Sequence, residues 1–311
     1  MRTADLSPPT QGPGGGGADD GTWTVLRLIR WSGEYLAGKG VESGRLDAEH
    51  LLAHALGMER LQLYLQFDRP LTLQERDAFK PLLRRRAARE PLQYITGRAA
   101  FRELELRCDP RALIPRPETE LLVDLVLEWA ADRDGLEAVD LGTGTGCIAL
   151  ALASEGPFSA VWGVDRSEAA LSLARENLED RPGLEGVRLV HGEGLDALPP
   201  ELRVDAIVSN PPYVREDERG TLAPEILEHE PHEALFGGAD GMAVIDPLVR
   251  KAAERLRPGG FLALETGIDQ GAAVVARIDA RGGFRDVVVH RDLTGRPRFV
   301  TAVRRDDGAA H

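Results

Sequence analysis

The chain has 311 residues, 42% of them apolar and 29% charged, with a formal net charge of −13. That length suits two domains, and that balance suits a globular protein in water. The acidity weighs against a protein that tracks nucleic acid by neutralising phosphates, so no direct nucleic-acid partner is expected. Cys108 and Cys147 have no metal-ligand spacing and make no disulfide framework, which fits a reducing compartment. No apolar run approaches the roughly 18 residues of a membrane span, and the N-terminus lacks a basic-then-apolar leader. A cytoplasmic protein with no membrane partner is expected.

Residues 1–21, rich in Gly, Pro and Asp, cannot bury enough to fold and read as a disordered tail; 306–311 form a second tail. Residues 22–89 carry a helical pattern. "TVLRLIRWSGEYLAGKG", "RLDAEHLLAHALGM" and "TLQERDAFKPLLRRRAARE" predict three helices, the third capped by Thr72 with Glu75 three residues on. This is a small bundle, expected to recognise a substrate. Its arginine run, Arg84 to Arg89, reads as a solvated helix face or as a contact for an acidic partner. Residues 90–120 change period. "FRELELRC" alternates like a strand or hairpin, and "IPRPETE" reads as a fixed loop leading into the helix "ELLVDLVLEWAAD", so this stretch connects two domains.

Residues 121–305 form the second domain. The short apolar runs "EAVDLG", "SAVWGVD", "VRLVHG", "VDAIVSN" and "GGFLALETG" alternate with helical stretches, the pattern of an α/β fold with a parallel, doubly wound sheet. "FRDVVVHRDLTGRPRFVTAVR" closes it as an antiparallel hairpin at a sheet edge. In "VDLGTGTGCIALALA" a loop of Gly142, Thr143, Gly144, Thr145 and Gly146 lies between strand and helix, where glycines let a ligand approach backbone amides. Asp165 ends the next strand, 21 residues past Gly144, at a spacing suited to accepting both ribose hydroxyls. Gly144, Gly146 and Ala149 also match a dinucleotide pattern. Asp140, just before the loop, favours a cationic ligand such as S-adenosylmethionine over a pyrophosphate.

"SNPPYV" ends the fourth strand of the wound sheet, on the edge where such sheets bind ligands. Prolines cannot donate to a ladder, so the chain turns a stiff corner there. Asn210 offers an amide oxygen, Pro211 a carbonyl held by its ring, and Tyr213 a flat face; Pro212 stiffens the corner. Together they suit a planar NH2 group, whose nitrogen is a poor nucleophile until both protons are accepted. An activated sulfonium methyl would need only alignment and desolvation. No metal is required, and neither the His50/His54 pair nor "HEPH" at 229–232 has a recognisable ligand pattern. Methylation of adenine or guanine amines in nucleic acid and a non-catalytic binding module are the competing readings. An NAD oxidoreductase lacks a catalytic His, Tyr or Lys in a recognisable motif.

The combination of "DLGTGTGCIALALA", "VSNPPYV", "EPLQYITG", "LIPRPETE" and "RPGGFLALETG" resembles the HemK/PrmC family, the glutamine N5-methyltransferases of peptide chain release factors. The resemblance spans roughly residues 23–305, and "EPLQYITG…LIPRPETE" is its specific part. It implies a Rossmann-like class I methyltransferase domain with a seven-stranded sheet and S-adenosylmethionine as cofactor. It implies the Gly-Gly-Gln loop of class 1 release factors as substrate. It places Gly142 to Gly146 at the methionine end, Asp165 on the ribose, and Asn210 to Tyr213 on the substrate amide, with Asn210 also near the cofactor. After the third strand the family carries an acid and then an aromatic beside the adenine. Here Glu193 is followed by Gly194, so Glu193 is left to bond the adenine amine without a stacking ring.

Overall fold

The computed structural model describes residues 22–306. The expected tail at 1–21, and all of that at 306–311 except Asp306, lie outside the described residues. The chain divides into two compact units, one up to Ala87 and one from Ala88.

In the first unit, α1 (Val25–Ala37), α2 (Gly44–Leu56), α3 (Arg60–Tyr64) and α4 (Leu73–Ala87) pack around fully buried Ile29, Leu51, Leu52, Leu63, Phe79 and Leu83. Three helices were expected from periodicity; the five-residue α3 is too short to show a period. The α4 start follows the expected reciprocal cap. Glu75 N donates to Thr72 Oγ1 at 3.2 Å, and Thr72 N donates to Glu75 Oε2 at 2.8 Å. The arginine run is neither a uniform solvated face nor a uniform docking strip. Arg84 and Arg85 are exposed, whereas Arg86 is buried and donates to buried Asp47 at 2.7 Å. α4 ends at Ala87, and Arg89, in the second unit, grips Glu225 through Nε at 2.7 Å and Nη2 at 2.5 Å.

The second unit opens with α5 (Leu92–Thr96) and an antiparallel pair, β1 (Arg98–Phe101) and β2 (Leu104–Arg107). The alternating "FRELELRC" therefore spans the last residue of β1, the turn and β2 of a hairpin. A loop to Arg116 leads into α6 (Pro117–Ala130), with Pro at the first helical position, where its missing N–H costs nothing. The central sheet contains β3 (Leu136–Leu141), β4 (Phe158–Asp165), β5 (Val187–His191), β6 (Val204–Ser209), β7 (Leu256–Glu265), β8 (Phe284–Arg291) and β9 (Pro297–Arg304). The intervening helices are α7 (Cys147–Glu155), α8 (Glu168–Glu179), α9 (Pro224–His229), α10 (Ile245–Arg255) and α11 (Gly271–Arg281).

The strand order is β5-β4-β3-β6-β7-β9-β8, with β3 to β7 parallel and β9 antiparallel to both its neighbours. β9 inserts between β7 and β8, so the terminal hairpin leaves only β8 at the edge. This is a Rossmann-like, doubly wound sheet ending in an antiparallel hairpin. Its two faces carry separate apolar clusters, one including Val139, Ile207, Leu262 and Val300, the other Ala138, Val161, Val208 and Ala263. The winding runs outward from β3 through β4 to β5, then returns to β6 on the other side of β3. In such sheets a ligand crevice opens at that reversal, beyond the carboxyl ends of the strands.

Candidate active site

The glycine loop emerges from β3 at the reversal. Gly142, Gly144 and Gly146 have φ of 75°, 56° and 85°, a region that disfavours any side chain. The amides of Gly142 and Thr143 donate to Val164 O at 2.8 and 3.0 Å, which binds the loop to the end of β4. Asp140, one residue inside β3, is fully buried. Its Oδ2 accepts from Thr143 Oγ1 at 2.6 Å and from Ala149 N at 3.1 Å, clamping the loop to the first turn of α7. Burial pushes its carboxyl up to about 7, against the pull of those two bonds, and Oδ1 has no hydrogen-bond partner among the described residues.

Asp165 closes β4 with both oxygens engaged by backbone. Oδ2 accepts from Gly144 N and Oδ1 from Ser167 N, each at 2.9 Å. Each oxygen keeps a second lone pair for a ligand hydroxyl. Burial raises this carboxyl above its ordinary range.

At the next strand end, Ser209 Oγ donates to Leu141 O at 2.6 Å, holding the β6 terminus beside the glycine loop. Asn210 Nδ2 donates to Thr119 Oγ1 at 3.0 Å. The Tyr213 hydroxyl lies 3.3 Å from Glu265 Oε1 and accepts from Arg298 Nη2 at 2.8 Å. Burial pushes that phenol up to about 12, helped by the nearby Glu265 charge, so it stays protonated at neutral pH. A second loop locks the corner. Val214 N donates to Leu235 O and Gly237 N to Val214 O, both at 2.9 Å, and Gln270 Nε2 donates to Tyr213 O at 2.8 Å. Gly241 must remain a glycine here, because a Cβ would stand 2.3 Å from Tyr213 O.

A cavity of about 480 Å³ opens at this edge, within the range of small-molecule sites. Of the residues expected at the site, Gly142, Gly144, Asp165, Glu193, Gly194, Asn210 and Pro212 line it. Asp140, Thr143, Thr145, Gly146, Pro211 and Tyr213 do not. Asp140, Thr143 and Thr145 are almost wholly covered, at 0, 3 and 1% exposure, because the loop folds their side chains inward. In this structure Asp140 shapes the loop and does not line the cavity. Gly146 supports the start of α7, where a Cβ would stand 3.3 Å from Leu150. Pro211 is buried, and the Tyr213 ring carries the Arg298 guanidinium 5.2 Å from its centroid.

Several lining residues escaped the sequence reading. Residues 111–113 form one wall. That loop is pinned by Tyr94 OH donating to Ala112 O at 2.7 Å, by Arg111 on Glu176, and by Arg116 on buried Glu230. Leu195, Pro247 and Leu248 supply an apolar wall, so the side left without an aromatic at Gly194 is faced with aliphatic groups. Asn177, fully buried on α8, gives Nδ2 to Thr145 O at 3.0 Å and takes Arg107 N on Oδ1 at 2.7 Å, tying the hairpin to the glycine loop. Cys108 and Cys147 have thiols raised by burial to about 12, so neither is a thiolate nucleophile at neutral pH.

The Asp140 carboxyl makes a pH signature. Its folded value of about 7 lies above the ordinary ~3.9, so between those pH values the native state holds a proton the unfolded chain has lost. The parent's stability falls as pH rises through that window. Asp140→Asn lacks this slope and keeps an oxygen for Thr143 and Ala149. The melting temperature of Asp140→Asn relative to the parent is expected to climb from about pH 4 to about pH 7 and level off above it. A pH-independent difference in thermal melts would contradict the assignment.

The PrmC N-terminal domain family matches residues 27–97, and the methyltransferase small domain family matches residues 118–240. The chain is 43% identical to the release factor glutamine methyltransferase of Geobacter sulfurreducens, over 89% of this chain and 96% of that one. It is 46% identical to the enzyme of that name from Mycolicibacterium smegmatis, over 86% and 94%. Among solved structures, a methyltransferase from Pyrococcus furiosus aligns with a TM-score of 0.50 at 21% identity, over 67% of this chain and 92% of that one. The hMettl16 catalytic domain, solved with a MAT2A 3′UTR hairpin, aligns with a TM-score of 0.52 at 17% identity, over 65% and 75%. Those two likenesses establish the fold alone. On the similarity across nearly its whole length, the chain belongs to the release factor glutamine methyltransferase family.

Proposed function

We propose that this protein transfers a methyl group from S-adenosylmethionine to the side-chain amide nitrogen, N5, of the glutamine in the Gly-Gly-Gln motif of class 1 release factors. The observation that carries this reading is the Asn210-Pro211-Pro212-Tyr213 corner, set beside a glycine-loop cavity in a chain of this family. The residues present fit the cofactor. Asp165 keeps a lone pair on each oxygen for a ribose diol, Leu195, Pro247 and Leu248 offer an apolar wall to a base, and Glu193 reaches the same end.

When bound, S-adenosylmethionine supplies a sulfonium methyl that is already electrophilic. The chain's task is to present the glutamine nitrogen in line and dry. Asn210 Oδ1 and the Pro211 carbonyl accept the two amide protons, which pushes density back onto nitrogen, and Tyr213 covers the amide plane. A methylated amide nitrogen is acidic and sheds one proton, so no strong general base is needed.

The helical unit, residues 22–87, is assigned to release-factor recognition. It exposes Leu61, Leu65 and Leu73 at 74, 82 and 62%. We take these exposed apolar side chains as the surface that meets the release factor. A translation-factor substrate also implies a cytoplasmic location.

The direct test is incubation with labelled S-adenosylmethionine and a class 1 release factor, followed by mass mapping of the product. Label on the Gly-Gly-Gln glutamine is expected; label confined to added DNA or RNA would overturn the proposal. Two variants separate binding from chemistry. Asp165→Ala is expected to weaken cofactor binding by about 1.5–3 kcal/mol in calorimetry. Asn210→Ala should leave that affinity nearly intact and lower turnover by ~10²–10³, because its bond matters most as nitrogen attacks. Introducing Leu61→Asp together with Leu65→Asp is expected to raise KM for the release factor about tenfold or more, with cofactor affinity unchanged. An unaltered KM would remove this face from recognition.

A further inference from the structure

We infer that Glu265, acting through Thr119, sets which end of the Asn210 amide is offered to the substrate. This rests on the proposed role of Asn210 as acceptor and adds two positioning residues to it. Glu265 is the last residue of β7 and fully buried; Thr119 is the third residue of α6 and 2% exposed. Thr119 Oγ1 lies 2.7 Å from Glu265 Oε2, and Asn210 Nδ2 lies 3.0 Å from the same Thr119 oxygen.

The direction of this chain of bonds follows from counting protons. An ionised carboxylate only accepts, so Thr119 must spend its single hydroxyl proton on Glu265. Its oxygen can then only accept from Asn210. Only the NH2 end of that amide can donate, so the nitrogen faces Thr119 and Oδ1 is left at the cavity that Asn210 lines. Among the described residues no donor to Oδ1 is present. Without the carboxylate, the hydroxyl could equally donate to Asn210 Oδ1. The amide would then turn over and present two N–H groups to a substrate NH2.

The same carboxylate governs the other side of the corner. Arg298 Nη2 donates to Tyr213 OH at 2.8 Å, which leaves the phenol proton to Glu265 Oε1 at 3.3 Å. Arg298 also donates to Oε1 at 2.9 Å, so the buried charge is paired. Residues from α6, β9 and the corner after β6 thus converge on one anion, and that anion orients both Asn210 and Tyr213.

The test is a double-mutant cycle on release-factor methylation, with cofactor affinity measured by calorimetry. Thr119→Val removes the hydroxyl at nearly constant shape and is expected to lower kcat about 10-fold to 100-fold. Cofactor affinity should stay within about twofold. Thr119→Ser restores the hydroxyl and is expected to retain most of kcat. If Thr119 acts only through Asn210, adding Thr119→Val to Asn210→Ala costs no more than about twofold further. Glu265→Gln is expected to lower kcat at least as much, keeping on Asn210→Ala only the part of its loss that runs through Tyr213, and Thr119→Ala carries the cycle should Thr119→Val fold poorly. Parental kcat in Thr119→Val, losses that multiply in the double variant, or a parallel drop in cofactor affinity would overturn the inference while leaving the amide clamp standing. Near-parental turnover by Asn210→Ala would instead overturn the clamp, and the network with it.

Discussion

The parallel pairing of β3 with β6 is the constraint on which the site depends. Asp140 stands opposite Val208 in that register, so the two strands end together. The glycine loop and the Asn210 corner leave the sheet side by side, cross-linked by the bond from Ser209 Oγ to Leu141 O. A parallel pair cannot be joined by a tight turn and needs a crossover. Here two strands and their helices intervene, and both functional loops lie at the carboxyl edge by topology. A slip of one residue in this pairing would send one strand's side chains to the opposite apolar cluster and break the packing of both faces.

Around this edge the protein buries three carboxyls, Asp140, Asp165 and Glu265, each raised above its ordinary range by loss of water. Each is compensated differently. Asp140 takes a hydroxyl and an amide and shapes a loop. Asp165 takes two amides and keeps lone pairs for a ligand. Glu265 takes Arg298 and two hydroxyls. Burying such groups costs stability unless hydrogen bonds offset the desolvation. Their concentration at one edge fits a site where polar groups are held in advance of the reaction.

The proposed chemistry asks little of the chain beyond orientation. The buried cysteines are thiols, Tyr213 is a phenol, and the corner offers acceptors rather than a nucleophile. A reaction whose methyl arrives activated needs chiefly a held amide plane and acceptors at the attacking nitrogen, the roles proposed for this corner. The rigidity of the corner comes from backbone bonds to the 235–238 loop and from Gln270, not from its prolines alone.

Local spacing carried much of this architecture. Alternating runs and helical stretches specified a doubly wound sheet, Gly142 to Gly146 a left-handed loop after a strand, and Pro211 and Pro212 a strand end, because each depends on backbone preferences within a few residues. The capping of α4 by Thr72 and Glu75 was legible for the same reason. Side-chain direction and distant partners were not. Whether Asp140 faces a ligand or the protein, and whether Arg86 faces water or Asp47, depends on which surface packs over it. The apolar wall at Pro247 and Leu248 is brought to Gly194 across more than fifty residues of chain. Thr119, Asn210 and Glu265 meet from three elements, the ends of a helix and two strands. The sequence by itself determined the order of elements and where the chain had to turn. Only the tertiary structure decided which polar groups meet across that turn, since such pairs are chosen by burial and proton counting between distant segments rather than by any local preference.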